Sequence, residues 1–190
     1  MIGLIQKLLL DMARERAGDD AVMEIKRRTG LPPDFNYRID TDYDNTEAQR
    51  LLDNACAVLG ISQDQAFEHY ARHFLNAARH SFPTFFNLSP TARGLLARQP
   101  AIHNMLASGL RDTAKRDAVN DKFAISDLPG EPLEVRYRSP NAWCGLYFAL
   151  TREVGEHYGE NIDIDITQCR ARGDNECVFR LHFTPKAPPA

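Results

Sequence analysis

The stretch HYGENIDIDITQCRARGDNECVFRLHF, residues 157–183, predicts the fold of the C-terminal half. Isoleucines alternate with polar residues over 162–167, and apolar residues alternate again over 177–183. A period of two is typical of half-buried strands, and the Gly-Asp-Asn sequence at 173–175 is typical of a turn between them. The stretch therefore predicts an antiparallel hairpin with one apolar face and one aspartate face open to water.

The rest of the chain supplies one more predicted strand and several helices. Residues 133–137 also alternate, whereas 141–158 and most of the first two thirds have apolar residues at helical spacing. Because helices and strands are segregated along the chain, we expect an α+β fold. We predict one domain over 1–184, made of a helical subdomain (1–60) and an α+β subdomain (61–184), and a disordered tail at 185–190.

Composition excludes several classes of protein. The chain has 190 residues, of which 43% are hydrophobic, with 23 Lys and Arg against 26 Asp and Glu, for a net charge of -3. A basic excess that would favour nucleic acid is therefore absent. Apolar runs are far shorter than the about 20 residues of a membrane span, and the N-terminus does not resemble a signal peptide. Four widely spaced cysteines do not suggest a secreted disulfide framework, so we expect a soluble cytoplasmic protein.

His103 is the first candidate for a functional residue. It lies among Ile102, Met105 and Leu106 on a predicted helix that follows Pro100. A neutral imidazole in apolar surroundings can ligate a metal ion or haem iron. The alternative is a core histidine that is satisfied by a backbone carbonyl. His69 and His73 also have the spacing of metal ligands, but we interpret them as part of a solvated helix face.

Two further groups of polar or nucleophilic residues lie in the C-terminal half. Cys144, Cys169 and Cys177 can supply three zinc ligands, or they fill a core as small apolar side chains. Tyr137 and Ser139 alternate with Asn141 and can present hydroxyl and amide donors to one anion, or they simply precede a helix cap. The sequence carries no glycine-rich phosphate loop, nucleophile elbow or paired catalytic carboxylates. We therefore expect no enzyme.

Several of these segments together resemble the haem–nitric oxide/oxygen binding (H-NOX) family, in its stand-alone bacterial type. The likeness begins at MIGLIQKLL, continues through FPTFF (82–86), the isolated His103 and YRSPNAWCGL (137–146), and closes with the hairpin block. It covers nearly the whole chain. Membership would imply the α+β fold of that family and a haem b cofactor.

The resemblance also implies roles for individual residues. His103 corresponds to the haem ligand, and Tyr137 and Ser139 to the first two members of a Tyr-x-Ser-x-Arg motif that holds the haem propionates. The arginine position is Asn141 here, and an amide does not replace a bidentate guanidinium. Arg136 and Arg138 should point away from the Tyr–Ser face. The family's Pro-Pro pair is replaced by AVNDKF (118–123).

The implied ligand is a diatomic gas. Oxygen-binding members place a tyrosine at the position of Leu146, and we expect Ile5, Phe82 and Leu146 to line an apolar pocket. Such a pocket offers no hydrogen bond to bound dioxygen, so we predict selectivity for nitric oxide, with carbon monoxide as a further ligand. The three cysteines match three of four zinc ligands in some members, and the fourth position is Ile166.

The resemblance implies a sensor whose helix bearing His103 shifts when gas binds, and a separate histidine kinase or cyclic-dinucleotide enzyme that responds. Two alternatives stay open. One is a module of the same fold that binds another tetrapyrrole, an apolar ligand or no cofactor, because the clamp arginine is Asn141. The other is a metal-dependent enzyme built on the three cysteines and a histidine such as His157.

Overall fold

The helices of the chain precede most of its strands, which confirms the α+β class. The computed structural model describes residues 3–108, 110 and 112–187. Its elements follow in the order α1 (Leu4–Thr29), α2 (Asn45–Leu59), α3 (Gln63–Ser81), α4 (Pro83–Asn87), α5 (Ala92–Ala97), α6 (Gln99–Ala107), α7 (Thr113–Asn120), β1 (Phe123–Ser126), β2 (Leu133–Tyr137), α8 (Cys144–Tyr158), β3 (Glu160–Gln168), a 3₁₀ turn (Arg170–Arg172) and β4 (Cys177–Pro185).

Packing divides the chain into two units, Met1–Phe74 and Leu75–Ala190. The division lies within α3, whereas the sequence predicts a boundary at residue 60, where α2 ends. Among the described residues, no helix is long and apolar enough to cross a membrane.

The first unit is built on the packing of α1 against α2. Both helices end at a glycine in the left-handed conformation, Gly30 and Gly60. α1 is kinked at one residue, Gly18, whose φ of 79° and ψ of -177° interrupt the helix. A capping box opens α3: Ser62 N–H donates to Gln65 Oε1 at 2.9 Å, and Gln65 N–H donates to Ser62 Oγ at 3.2 Å.

The second unit contains an antiparallel sheet with the strand order β1-β2-β4-β3. The predicted hairpin is confirmed, because Ile162 pairs with Phe183 and Ile164 with Leu181. Asp163 is exposed, as predicted for the polar face. The inner residues of β2 and β4 are fully buried and form the core of this unit: Leu133, Val135, Cys177, Phe179 and Leu181. α8 packs against β3.

The predicted tail at 185–190 begins too early. Pro185 still belongs to β4, and Lys186 N–H donates to the Gly159 carbonyl at 2.8 Å. Lys186 Nζ also lies 2.5 Å from a Glu156 carboxylate oxygen. These bonds continue the ordered chain past the last strand, and residues 188–190 of the predicted tail lie outside the described part of the structure.

Candidate functional site

His103 lies in the middle of α6, a short helix with Pro100 in its first turn, where the missing N–H costs no hydrogen bond. α6 packs against α7 and β1. The imidazole ring is half-buried, and its centroid is 4.7 Å from that of Phe123, the first residue of β1. Its Nδ1 atom is buried and has no hydrogen-bond partner in the described part of the chain. A backbone carbonyl therefore does not satisfy this atom.

The surroundings of His103 keep its imidazole neutral. Burial, together with the nearby positive charge of Lys122, lowers the pKa of His103 to about 3. A neutral imidazole keeps a lone pair on one ring nitrogen at physiological pH, which is the form that ligates a metal ion. An uncharged histidine with an unpaired buried nitrogen fits the ligand of a haem iron.

Aromatic rings connect His103 through Phe123 to Tyr137 at the end of β2. The Phe123 ring stacks on Tyr137 at 5.0 Å between centroids, and Tyr137 in turn stacks on Tyr147 at 5.7 Å. Tyr147 also stacks on Phe179 at 4.9 Å. No local pattern in the sequence marks Phe123, because its contact with His103 depends on how α6 packs against β1.

Tyr137 and Ser139 lie together as the alternation predicts. Both residues are buried, and their side chains share a hydrogen bond. Burial raises the pKa of Tyr137 to about 12, so the phenol stays protonated and can donate a hydrogen bond to an anion. The hydrogen bond between the two hydroxyls uses one O–H, so the pair offers one hydroxyl donor to an anion at the end of β2.

Asn141 follows in a turn, three residues before α8 begins at Cys144. The helix predicted from residue 141 thus starts late, because Ala142 adopts a φ of 49° and its N–H donates to the Ser139 carbonyl at 3.3 Å. The Asn141 Nδ2 atom is buried and has no hydrogen-bond partner in the described part of the chain. Ser139 does not cap α8, since Trp143 occupies the position before that helix.

The arginines that flank Tyr137 are bound elsewhere. Arg136 Nη1 and Arg138 Nε donate to the two carboxylate oxygens of Glu176, at 2.9 and 2.8 Å. A third arginine, which was not predicted from the sequence, contacts the backbone beside Tyr137 instead. Arg170 Nη1 donates to the Ser139 carbonyl at 3.1 Å. The hairpin turn brings Arg170 there, and no local sequence pattern signals that contact.

The three residues predicted to line an apolar pocket fall in different elements. Ile5 is half-buried on α1 of the first unit. Phe82 is half-buried at the start of α4 in the second unit, and Leu146 is buried on α8. None of the three carries a polar side-chain atom.

The structure brings the three predicted cysteines together. Cys144 Sγ lies 3.1 Å from Cys177 Sγ and 3.6 Å from Cys169 Sγ, and the three sulfur atoms all lie within 4.8 Å of one another. Zn–S bonds of about 2.3 Å in a tetrahedron separate two sulfurs by about 3.8 Å. The cluster therefore has nearly the dimensions of three thiolates around one zinc ion.

The protonation and the neighbours of this thiol cluster bear on metal binding. Burial and the adjacent thiols raise the pKa of Cys144, whereas the Ala171 backbone amide and the neighbouring thiols outweigh burial and lower the pKa of Cys169. Among the described residues, only these three form a group of potential metal ligands. His157 is not part of it and packs its ring against Phe86 at 5.5 Å.

Comparison with known proteins places these features in a family. A model of the Haem-NO-binding family (HNOB) matches residues 2–166. Soluble guanylate cyclase gcy-37 of Caenorhabditis elegans is 31% identical over 78 residues, which are 41% of this chain and 11% of that protein. This chain thus matches only a small part of the length of that relative.

Solved structures show the same fold. An H-NOX protein from S. oneidensis in the Fe(II)NO state has a TM-score of 0.79 at 18% identity, with coverage of 97% of this chain and 99% of that one. Unliganded Fe(II) H-NOX from K. algicida has a TM-score of 0.74 at 22% identity, with 100% of both chains covered. An oxygen-binding H-NOX domain related to soluble guanylate cyclases has a TM-score of 0.77 at 16% identity, covering 100% of this chain and 99% of that one.

Proposed function

Because the chain belongs to the Haem-NO-binding family, we propose that it is a gas sensor in which His103 ligates the iron of haem b. The proposal rests on the protonation state and the surroundings of His103. Its imidazole is neutral at physiological pH, and its buried Nδ1 atom has no partner in the described structure. A buried nitrogen without a hydrogen-bond partner costs free energy. Ligation of iron by the imidazole would give this costly burial a function.

When bound, ferrous haem supplies an iron atom with an open coordination position for a diatomic gas. His103 would hold the iron from one side, and its low pKa prevents protonation from competing with ligation. The Tyr137–Ser139 pair would donate a hydrogen bond to a haem carboxylate, because one O–H of the two linked hydroxyls at the end of β2 is free to donate.

The apolar character of Ile5, Phe82 and Leu146 supports selectivity for nitric oxide. Bound dioxygen is polarised and is stabilised by a hydrogen-bond donor, whereas nitric oxide and carbon monoxide bind ferrous haem without one. These three side chains provide no donor. We therefore expect tight binding of nitric oxide, binding of carbon monoxide and weak binding of oxygen.

The output would be a change in the position of α6. That helix carries His103 and packs against both α7 and β1, so a change at the imidazole is transmitted to both. A separate histidine kinase or cyclic-dinucleotide enzyme would respond to the change, and the chain itself would catalyse no reaction. A cytoplasmic location stays a prediction from the sequence.

Replacing His103 with Gly tests the proposal. We expect the variant to lose haem during purification and to regain it when free imidazole is supplied, because imidazole can occupy the space of the missing side chain. Absorption spectra of both preparations measure the haem content. The matched control is His80→Gly, since His80 is exposed at the end of α3 and binds the Asn76 carbonyl. Equal haem content in wild type and the His103 variant would contradict the assignment.

We further propose that the cluster of Cys144, Cys169 and Cys177 binds one zinc ion. The sulfur spacing supports it, and a water molecule would complete the tetrahedron because Ile166, at the position of the fourth ligand, has no donor atom. An ion held by three thiolates would also link α8 to β4 and to the segment before the 3₁₀ turn.

Metal analysis of the purified protein tests this site. We expect about one zinc per chain in the wild type and loss of that zinc in Cys177→Ser, whose sulfur is fully buried in the cluster. Cys56→Ser is the control, because Cys56 lies on α2 in the other unit. Zinc that persists in the Cys177 variant, or an absence of zinc after growth in zinc-rich medium, would overturn the proposal.

A further inference from the structure

The end of β2 offers hydrogen bonds to an anion but lacks an obvious positive charge. Tyr137 and Ser139 are neutral, and Asn141 presents an amide whose Nδ2 atom is buried without a partner in the described structure. Arg136 and Arg138 both donate to Glu176, and Arg136 also lies 3.4 Å from a Glu134 carboxylate oxygen, so both guanidiniums are engaged by carboxylates of the protein. Haem carries two carboxylates, and a carboxylate that leaves bulk water is held much more strongly by a cation than by neutral donors alone.

Arg170, in the segment between β3 and β4, brings a guanidinium to Ser139 just after β2. Its Nη1 donates to the Ser139 carbonyl at 3.1 Å. Its own backbone N–H donates to Cys177 Sγ at 3.4 Å, so the residue is anchored both at its backbone and at the end of its side chain. The turn that carries it is closed by Asp174, whose carboxylate accepts from the Cys169 N–H at 2.7 Å.

The remaining donors of Arg170 are available for an anion. A guanidinium has five N–H donors, and the contact with Ser139 uses one of them. In the described part of the chain, Arg170 forms no ion pair with a carboxylate, unlike Arg136 and Arg138. An anchored guanidinium with free donors is suited to bidentate binding of a carboxylate.

We propose that Arg170 supplies the positive charge that binds a haem carboxylate beside Tyr137 and Ser139, where Asn141 cannot. The inference rests on the proposed function, because it requires that the site takes a haem. It assigns the cation to a residue 29 positions away from Asn141 along the chain, on the segment between β3 and β4. Arg170 is thus a haem-binding residue of this particular chain.

The rate of haem loss from the reduced, loaded protein tests the role of Arg170. The protein is loaded either with haem or with haem dimethyl ester, and the two rates of loss are compared. Esterification removes the negative charge of both carboxylates and leaves the iron and the ring intact. We expect Arg170→Ala to lose haem about tenfold faster than wild type, a change of about 1.4 kcal/mol, and to lose the dimethyl ester at the wild-type rate.

Arg172→Ala is the matched control. Arg172 lies on the same 3₁₀ turn and also donates to a backbone carbonyl, that of Ile166, at 3.1 Å. The control removes the same charge from the same turn, so it should lose both haem and the ester at the wild-type rates. Arg170→Lys should fall between wild type and Arg170→Ala, because an ammonium retains the charge without the planar fork.

A rescue variant separates a binding role from a structural one. Adding Asn141→Arg to Arg170→Ala should restore slow haem loss, because a guanidinium returns beside Ser139 by another route. The proposal is overturned if Arg170→Ala changes neither rate, or if it accelerates loss of haem and ester equally. Failure of the wild type to bind either porphyrin would instead remove the proposed function, and this inference with it.

Discussion

His103 is held in a form that favours ligation over protonation. Holding His103 neutral costs folding stability at acidic pH. The unfolded chain binds a proton on this histidine near its ordinary pKa of about 6.5. The folded chain does so only near the lowered pKa of about 3. As the pH falls below about 6.5, the unfolded state takes up the proton first. The folded haem-free protein therefore loses stability between these two values, and above them the histidine has no such effect.

The pH dependence of unfolding measures this cost. Between pH 7 and pH 5, we expect the haem-free wild type to lose about 2 kcal/mol more free energy of unfolding than His103→Leu. Denaturant titrations at the two pH values provide the comparison. His80→Leu, which removes an exposed histidine, should behave like the wild type. Parallel losses in the wild type and His103→Leu would show that the imidazole is not held neutral by burial.

Leu146 is the residue at which the gas selectivity is tested. Leu146→Tyr should raise oxygen affinity at least about tenfold, because one added hydrogen bond to a polarised ligand contributes about 1.4 kcal/mol or more. Leu146→Phe is the control, since it adds the ring without the hydroxyl. Oxygen titrations of the reduced proteins give the affinities. Equal affinities in the Tyr and Phe variants would place this side chain outside the gas pocket.

Single residues also show how far sequence reasoning reaches. His103 could be named from the sequence because apolar residues surround it, Tyr137 and Ser139 because they alternate, and the three cysteines because thiols are rare in this chain. The family resemblance then implied their roles. Arg170 could not be named from the sequence, since nothing in its neighbourhood distinguishes it from Arg172. Its contact with Ser139 exists only once β3 and β4 have paired and the turn between them has closed.

At the scale of elements, periodicity predicted the β3–β4 hairpin because each strand has one buried face. It did not isolate β1, whose four residues are too few to show a period and whose pairing with β2 depends on the tertiary fold. It placed the start of α8 too early, because the backbone turn at Ala142 has no signature in the residue types.

The kink in α1 depends on Gly18. Its φ of 79° and ψ of -177° are open to glycine and strained for other residues, although a Cβ atom there would meet no neighbour within 4 Å. Gly18→Ala should lower the free energy of unfolding by about 2 kcal/mol.

Gly60→Ala is the comparison for the Gly18 variant. Gly60 also has open space around its Cβ position, but its φ of 65° and ψ of 35° lie in the left-handed helical region, where alanine costs about 1 kcal/mol. Denaturant titration of both variants gives the two losses. A smaller loss at Gly18 than at Gly60 would show that the backbone of α1 rearranges instead of keeping its kink.

At the scale of the whole molecule, the candidate residues concentrate in the second unit. His103, the Tyr137–Ser139 pair, Arg170 and the thiol cluster all lie within Leu75–Ala190, and of the predicted site residues only Ile5 belongs to Met1–Phe74. The family and the fold are supported by matches along nearly the whole chain. The proposed gas, metal and partner depend on a few side chains. The proposals on cofactor and ligand therefore need a measurement on the intact protein.

An absorption spectrum of the haem-supplemented protein, reduced and then exposed to nitric oxide or to air, tests the central claim most directly. We predict a Soret band corresponding to about one haem per chain, which shifts with nitric oxide, and no stable oxygen complex in air. No Soret band after haem supplementation would contradict haem binding and favour a module of this fold that takes another ligand or none. A stable oxygen complex would contradict the proposed selectivity for nitric oxide.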